Sequence, residues 1–151
     1  MRLTALTILA CICAASSARA EPECGDLIDR VTAAAGAELA ERSADFARFT
    51  AGPETSLTLS CGGVHPSSVG AQHRSDAPPD TYFDVFGRAG EAVTGIAADL
   101  LRDAAHRAQD GARRLRHSTV EAGGARITCS IMKNEKGPLT LCAVIEQADR
   151  T

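Results

Sequence analysis

Four side chains in one segment are spaced for chemistry: Asp99, Asp103, His106 and Asp110 recur at intervals of four, three and four. On a helix that spacing brings all four to one face, and carboxylates with an imidazole are donors that a divalent cation takes. Arginine competes for the same acids. Arg102, Arg107, Arg113 and Arg114 stand three or four residues from them, as on a solvated helix laced with ion pairs. The segment therefore reads as an exposed, salt-bridged surface.

A second set, His65, His73, Asp76 and Asp80, falls in the stretch 62–80, which is rich in Gly, Pro and Ser and shows no periodicity. The stretch is too long for an ordinary connection, and long loops in compact domains often carry function. These four are the candidate metal ligands of the chain. Spacing inside an irregular loop constrains nothing, so the plainer reading is a polar excursion.

Covalent chemistry has no motif. There is no G-x-S-x-G elbow and no H-E-x-x-H. Gly87-Arg-Ala-Gly90 is neither a phosphate loop nor a dinucleotide fingerprint, and no C-x-x-C-H stands for haem attachment. Glu54 and Asp84 are acids of the kind that glycoside hydrolysis uses in pairs, but nothing in the sequence places them together. The reading is a non-catalytic chain that needs no cofactor.

The opening segment carries more information. Residues 1–20 begin with basic Arg2, continue through a short apolar run, and close on Ala18-Arg19-Ala20, with small residues at the two positions a signal peptidase reads. The run is too short to span a bilayer as a helix. Residues 1–20 are thus expected to be a secretory signal peptide, and 21–151 a single small exported domain with no transmembrane segment. Ile8-Leu-Ala-Cys11 also resembles, loosely, a lipoprotein cleavage site, which makes a lipid anchor at Cys11 the alternative. Arginine dominates over lysine (only Lys133 and Lys136) and alanine is abundant, as in high-GC bacteria, which points to the periplasm or secretion.

Loss of Arg2 and Arg19 with the leader leaves 14 basic against 19 acidic residues, shifting the net charge from −3 to −5. That balance excludes sequence-independent nucleic-acid binding, which needs a basic surface. Of six cysteines, Cys11 and Cys13 leave with the leader, and Cys24, Cys61, Cys129 and Cys142 remain. An even set of four in an oxidising compartment reads as two disulfides. Without a C-x-x-C, neither a redox pair nor a zinc knuckle is supported. Pairing in chain order closes the most local loops. Cys24 with Cys142 and Cys61 with Cys129 is the alternative.

The elements that must position these residues follow from periodicity. Asp26 caps a helix whose stripe, Leu27, Ile28, Val31, Ala35 and Leu39, runs to about Glu41. Strands over 44–50 and 55–61 form a hairpin, the second alternating Leu57 and Leu59 with Ser56, Thr58 and Ser60. Residues 80–94 read as a helix, although 80–86 also suit a strand. Residues 96–116 make the strongest helix, with Ile96, Ala97, Leu100, Leu101, Ala104, Ala108 and Leu115 expected inside. A three-stranded meander ends the chain. The loop Gly123-Gly124 pairs Ala122 with Ala125 and Val120 with Ile127. A bulged turn at 134–137 pairs Ile131 with Leu141, Cys129 with Ala143 and Ile127 with Ile145, a register in which Cys129 and Cys142 face apart. A four-residue loop would oppose them instead.

The expected architecture is α+β, with helices on one face of a mostly antiparallel sheet, order α-β-β-α-α-β-β-β, stapled by disulfides. The expected role is a binding or accessory protein of the cell envelope that takes a protein partner or small ligand. The alternative is a small metal-binding protein or enzyme using His65 and His73.

Overall fold

The computed structural model describes residues 24–63 and 65–146. The leader and the alternative anchor at Cys11 lie outside these residues. The elements in chain order are α1 (Cys24–Ala35), β1 (Glu38–Arg42), β2 (Phe46–Thr50), β3 (Thr55–Ser60), β4 (Ser68–His73), α2 (Asp80–Thr94), α3 (Ala98–Leu115), β5 (His117–Ala122), β6 (Ala125–Asn134) and β7 (Gly137–Glu146).

All seven strands join one sheet in the order β1-β2-β3-β4-β7-β6-β5, and every pairing is antiparallel. The three helices cover one face. Strand side chains alternate between faces, so one parity of each inner strand is buried beneath them: Phe49, Leu57, Val69, Val144 and Ile127, each at 1% exposure or less. The class and the one-sided packing expected from periodicity are therefore correct, and so is the helix over 80–94, which excludes the strand alternative for 80–86.

Two strands escaped the sequence reading. The first helix does not continue to Glu41. Gly36 takes φ 62° with its N–H on the Thr32 carbonyl at 3.0 Å, a left-handed cap that releases the chain into β1. Leu39, which extended the apolar stripe, is 43% exposed on an edge strand. The stretch 62–80 is not one irregular loop either. Its middle, Ser-Val-Gly-Ala-Gln-His, is β4, hydrogen-bonded to β3 on one side and β7 on the other. Short side chains with only Val69 and Ala71 facing inward leave almost no hydrophobic alternation to read. The observed order is α-β-β-β-β-α-α-β-β-β.

The meander is half as expected. Gly123 and Gly124, at φ 60° and 82°, make the two-residue loop, and Ala122 pairs with Ala125 and Val120 with Ile127. The second turn differs. Asn134 pairs directly with Gly137, so only Glu135 and Lys136 form the loop, and each partner slips by one: Ile131 with Thr140, Cys129 with Cys142, Ile127 with Val144. The slip sends Leu141, Ala143 and Ile145 to the opposite face from the helices. Alternation in β7 favours the other register, since Leu139, Leu141, Ala143 and Ile145 share one parity, and tertiary contacts override it. Decisive are the disulfide between the opposed cysteines and buried Thr140, whose hydroxyl donates to the Ser75 carbonyl at 2.7 Å.

The helices meet closely. At Gly87 on α2 an added Cβ would stand 2.5 Å from the Ala98 carbonyl oxygen at the start of α3. Helix α3 begins at Ala98 rather than Ile96, because Gly95 caps α2 at φ 71°. Ile96 is buried in the link all the same, whereas Leu100 and Leu115 are 43% and 74% exposed, contrary to the expected stripe.

The disulfides join Cys24 to Cys61 and Cys129 to Cys142, the chain-order pairing. The first ties the start of α1 to the end of β3, and the second crosses two central strands.

Candidate functional site

The face of the sheet away from the helices carries no covering element among the described residues, and it holds a hollow of about 700 Å³. Strand register builds its floor. One row runs Arg48, Thr58, Gly70, Ala143, Thr128, Thr119, each residue the direct partner of the next. The adjacent row runs Thr50, Ser56, Gln72, Leu141, Ser130, His117. Two successive open-face positions on each of six strands thus make a polar floor with an apolar centre at Ala143 and Leu141.

Gly70 opens the middle. A Cβ there would come within 2.7 Å of the Thr58 hydroxyl, so glycine is what lets Thr58 stand over its neighbour strand. At the far edge the polar groups satisfy one another: Thr119 and Thr128 share a hydrogen bond of 3.0 Å, and His117 Nδ1 lies 2.9 Å from Ser130 Oγ. Thr50, Ser56, Thr58 and Gln72 instead make no side-chain hydrogen bond among the described residues. They offer hydroxyl and amide groups to whatever enters. At the near edge Arg48 is paired with Glu41 at 2.7 Å, both more than half exposed.

The Ser130–His117 pair has the spacing of a nucleophile and its base. Among the described residues no carboxylate orients the other imidazole nitrogen. Ser130 also sits inside a strand paired on both sides, where the surrounding N–H groups are committed to the ladder rather than free to hold an oxyanion.

The residues singled out by sequence lie elsewhere. His65 is exposed in the connection before β4. His73 ends β4 on the helix side, with Nδ1 2.9 Å from the Thr55 hydroxyl and its ring 5.7 Å from that of Tyr82. Asp76 is exposed, and its carbonyl accepts a hydrogen bond from buried Gln109 at 2.8 Å. Asp80 opens α2, with a carboxylate oxygen 3.8 Å from His106 Nε2. Among the described residues no three of His, Cys, Asp and Glu are grouped to hold a metal ion. On α3, Arg102 binds Asp99 at 3.3 Å and Asp103 at 3.2 Å, and reaches Asp84 at 3.7 Å, while His106 stacks on Phe83 at 3.7 Å. Of the ion pairs expected along this helix those of Arg102 form, whereas Arg107, Arg113, Arg114 and Asp110 make none among the described residues. Glu54 and Asp84 are held by different arginines, Arg74 and Arg102.

Two groups on the helix side of the sheet are shifted. Burial raises the Tyr82 hydroxyl above its ordinary range, and it donates to the Ala71 carbonyl at 2.9 Å. Burial also lowers the His73 pKa, with Glu54 opposing weakly. The folded protein therefore resists protonating His73, whereas the unfolded chain accepts a proton near pH 6.5. Stability is lost as pH falls below about 6.5 toward the lowered folded value, and this contribution is flat above it. Melting temperatures from pH 7.5 to 5 should fall less for His73→Gln than for the parent; equal slopes would remove His73 as the cause.

Sequence reasoning missed the groove. The polar parity of β3 was legible, but its partners come from strands distant in the chain. Compared with models of known families, with curated proteins and with solved structures, the chain matches none.

Proposed function

We propose that this is an exported, non-catalytic binding protein of the bacterial cell envelope, whose recognition surface is the groove on the open face of the sheet. One observation carries the reading: four polar side chains without hydrogen-bond partners among the described residues, Thr50, Ser56, Thr58 and Gln72, stand on a floor of paired strands around a hollow of about 700 Å³. Hydrogen-bonding groups that the fold leaves unused, held on paired strands, are pre-organised for a partner and lose little freedom when it binds. Ala143 and Leu141 supply the dry centre. An extended segment of a partner protein, or a small polar ligand, has the matching chemistry.

Export is supported by the basic-apolar-small pattern of residues 1–20 and by two disulfides, which persist where thiols oxidise. Among the described residues no helix is long and apolar enough to cross a membrane.

The test is photocrosslinking in the native envelope, with the reactive residue placed at Thr58 or Thr128 in the groove, or at Asp103 on the helix face. Groove positions should label one dominant partner. Ala143→Arg, which puts a charge in the dry centre, should reduce that labelling at least tenfold, a loss of about 1.4 kcal/mol, with melting unchanged. Equal labelling from Asp103, or indifference to Ala143→Arg, would reject the groove as the binding surface.

A further inference from the structure

One end of the molecule differs in charge from the rest. Both lysines of the chain, Lys133 and Lys136, lie in the β6–β7 hairpin, and Arg113, Arg114 and Arg116 lie at the end of α3. The fold brings the two together: the Ile131 N–H donates to the Arg116 carbonyl at 2.9 Å, and Arg113, Arg116, Ile131 and Lys133 line a recess of about 340 Å³. Arg116 is held by its backbone in a left-handed turn, φ 67°, with its N–H on the Ala112 carbonyl.

These five cations make no ion pair among the described residues, although the chain is acidic overall. The acids of the neighbourhood are Asp76, which lines the recess, Glu135 in the hairpin loop, and Asp110 one turn back on α3. Elsewhere Arg48 is matched with Glu41, Arg74 with Glu54 and Arg102 with three aspartates, while Arg42, Arg107 and Arg126 stand without an ion pair among the described residues but apart from one another. Two arginines complement the C-terminal end of the α3 dipole. The dipole gives no reason for Arg116, which is past the helix, or for either lysine.

Apolar side chains stand among the charges. Leu115, between Arg114 and Arg116, is 74% exposed, and Met132, beside Lys133, is 52% exposed, the two most exposed large hydrophobics of the described residues. The Arg116–Ile131 hydrogen bond places Leu115 and Met132 at the same end. Cations flanking exposed apolar tips are the two signals that together hold a protein at an anionic bilayer: charge attracts, and the tips enter the headgroup boundary.

We infer that this end, the α3 terminus with the β6–β7 hairpin, docks the protein on a membrane surface of anionic phospholipid, with Leu115 and Met132 inserted and the cations against the phosphates. The proposal is independent of the groove. In this pose the strands run toward the bilayer, and the sheet's open face stands beside the membrane.

The test is co-sedimentation of the full-length chain with vesicles of phosphatidylglycerol and phosphatidylcholine, or of phosphatidylcholine alone, at low salt. Arg116→Gln, Lys133→Gln and Lys136→Gln are combined in one variant, and Leu115→Ser with Met132→Ser in another. Residues 1–23 are common to all, so differences read the tip. The anionic vesicles should bind the parent better than neutral ones, the triple variant about a hundredfold less tightly than the parent, and the apolar variant roughly tenfold less. Binding should also weaken with salt. All substituted residues are exposed, and a thermal melt of each variant establishes that it is folded. Equal binding to both vesicle types, or variants that bind as the parent does, would overturn the proposal. Binding lost only in the presence of inorganic phosphate, with no preference between vesicles, would identify a free-anion site instead and likewise overturn it.

Discussion

Phe86→Ala should cost about 3–5 kcal/mol, enough to remove much of the stability of a domain this size, which is typically about 5–15 kcal/mol. Phe86 is fully buried in the middle of α2, at 0% exposure. The chain has four Phe, one Tyr and no Trp, and its core is otherwise aliphatic with many alanines. An aromatic ring removed from such a core leaves a void that alanine and valine neighbours are too short to fill. Gly87 lies next along the helix with its backbone close against Ala98, so α2 has little room to settle inward. Urea unfolding followed by circular dichroism should show the midpoint falling with the slope unchanged. A loss below about 1.5 kcal/mol would mean that the interface between α2 and the sheet repacks freely and that the core is less tightly specified than its burial implies.

The second large effect is removal of the Cys24–Cys61 disulfide. It spans 37 residues, and in the chain-entropy account a loop of that length restricts the unfolded chain by about 4 kcal/mol. The Cys129–Cys142 bridge spans 13 and should contribute about 3 kcal/mol. Paired replacements, Cys24→Ala with Cys61→Ala and Cys129→Ala with Cys142→Ala, avoid leaving a lone thiol. The first pair should lower stability more than the second. The structure gives the same order for a second reason. Helix α1 begins at Cys24, and its disulfide to Cys61 joins that end directly to the strand system, whereas β6 and β7 are already held by a ladder ten residues long. The opposite order would show that the central hairpin depends on its staple and that α1 docks through Leu27, Ile28 and Val31 alone. Titration of the parent with a thiol reagent under denaturing conditions checks the premise of both experiments.

These two effects lie on opposite sides of what could be read without coordinates. Chain-order pairing of the cysteines was favoured by loop closure alone, and it is correct. Yet the register derived from turn chemistry would have forbidden one of the two bridges. The conflict arose at Asn134–Gly137, where a bulged turn and a two-residue loop use the same residues and differ by one position. The odd parity of β7, with Leu139, Leu141, Ala143 and Ile145, is the more apolar, so alternation points to the register that the fold does not adopt. Burial of Thr140 against the Ser75 carbonyl, a contact across 65 positions of sequence, has no local signature.

The groove was out of reach for a related reason. Each of its rows is assembled from six strands, and one of those, β4, consists of small and polar residues whose strand character comes from having partners on both sides. Local pattern shows which face of β3 is polar. It does not show that the polar faces of β2, β4 and β6 and the apolar face of β7 join it in one floor, nor that Gly70 sits at the centre. The basic tip is similar: the arginines of α3 and the lysines of the hairpin are legible as separate charge clusters, and only the Arg116–Ile131 contact joins them.

Sequence by itself determined the elements whose evidence is local: the helix over 80–94, the Gly123-Gly124 hairpin, the ion pairs of Arg102 on α3, the buried parity of β3 and the α+β class. Backbone propensity, side-chain period and turn stereochemistry act over a few residues, so they survive without a fold. Tertiary structure alone decided the strand order, the β6–β7 register, the strand hidden in 62–80 and every surface that gathers residues from distant segments. Those depend on which of several near-equal pairings buries the most and leaves no polar group unsatisfied, a comparison that exists only once the whole chain is packed.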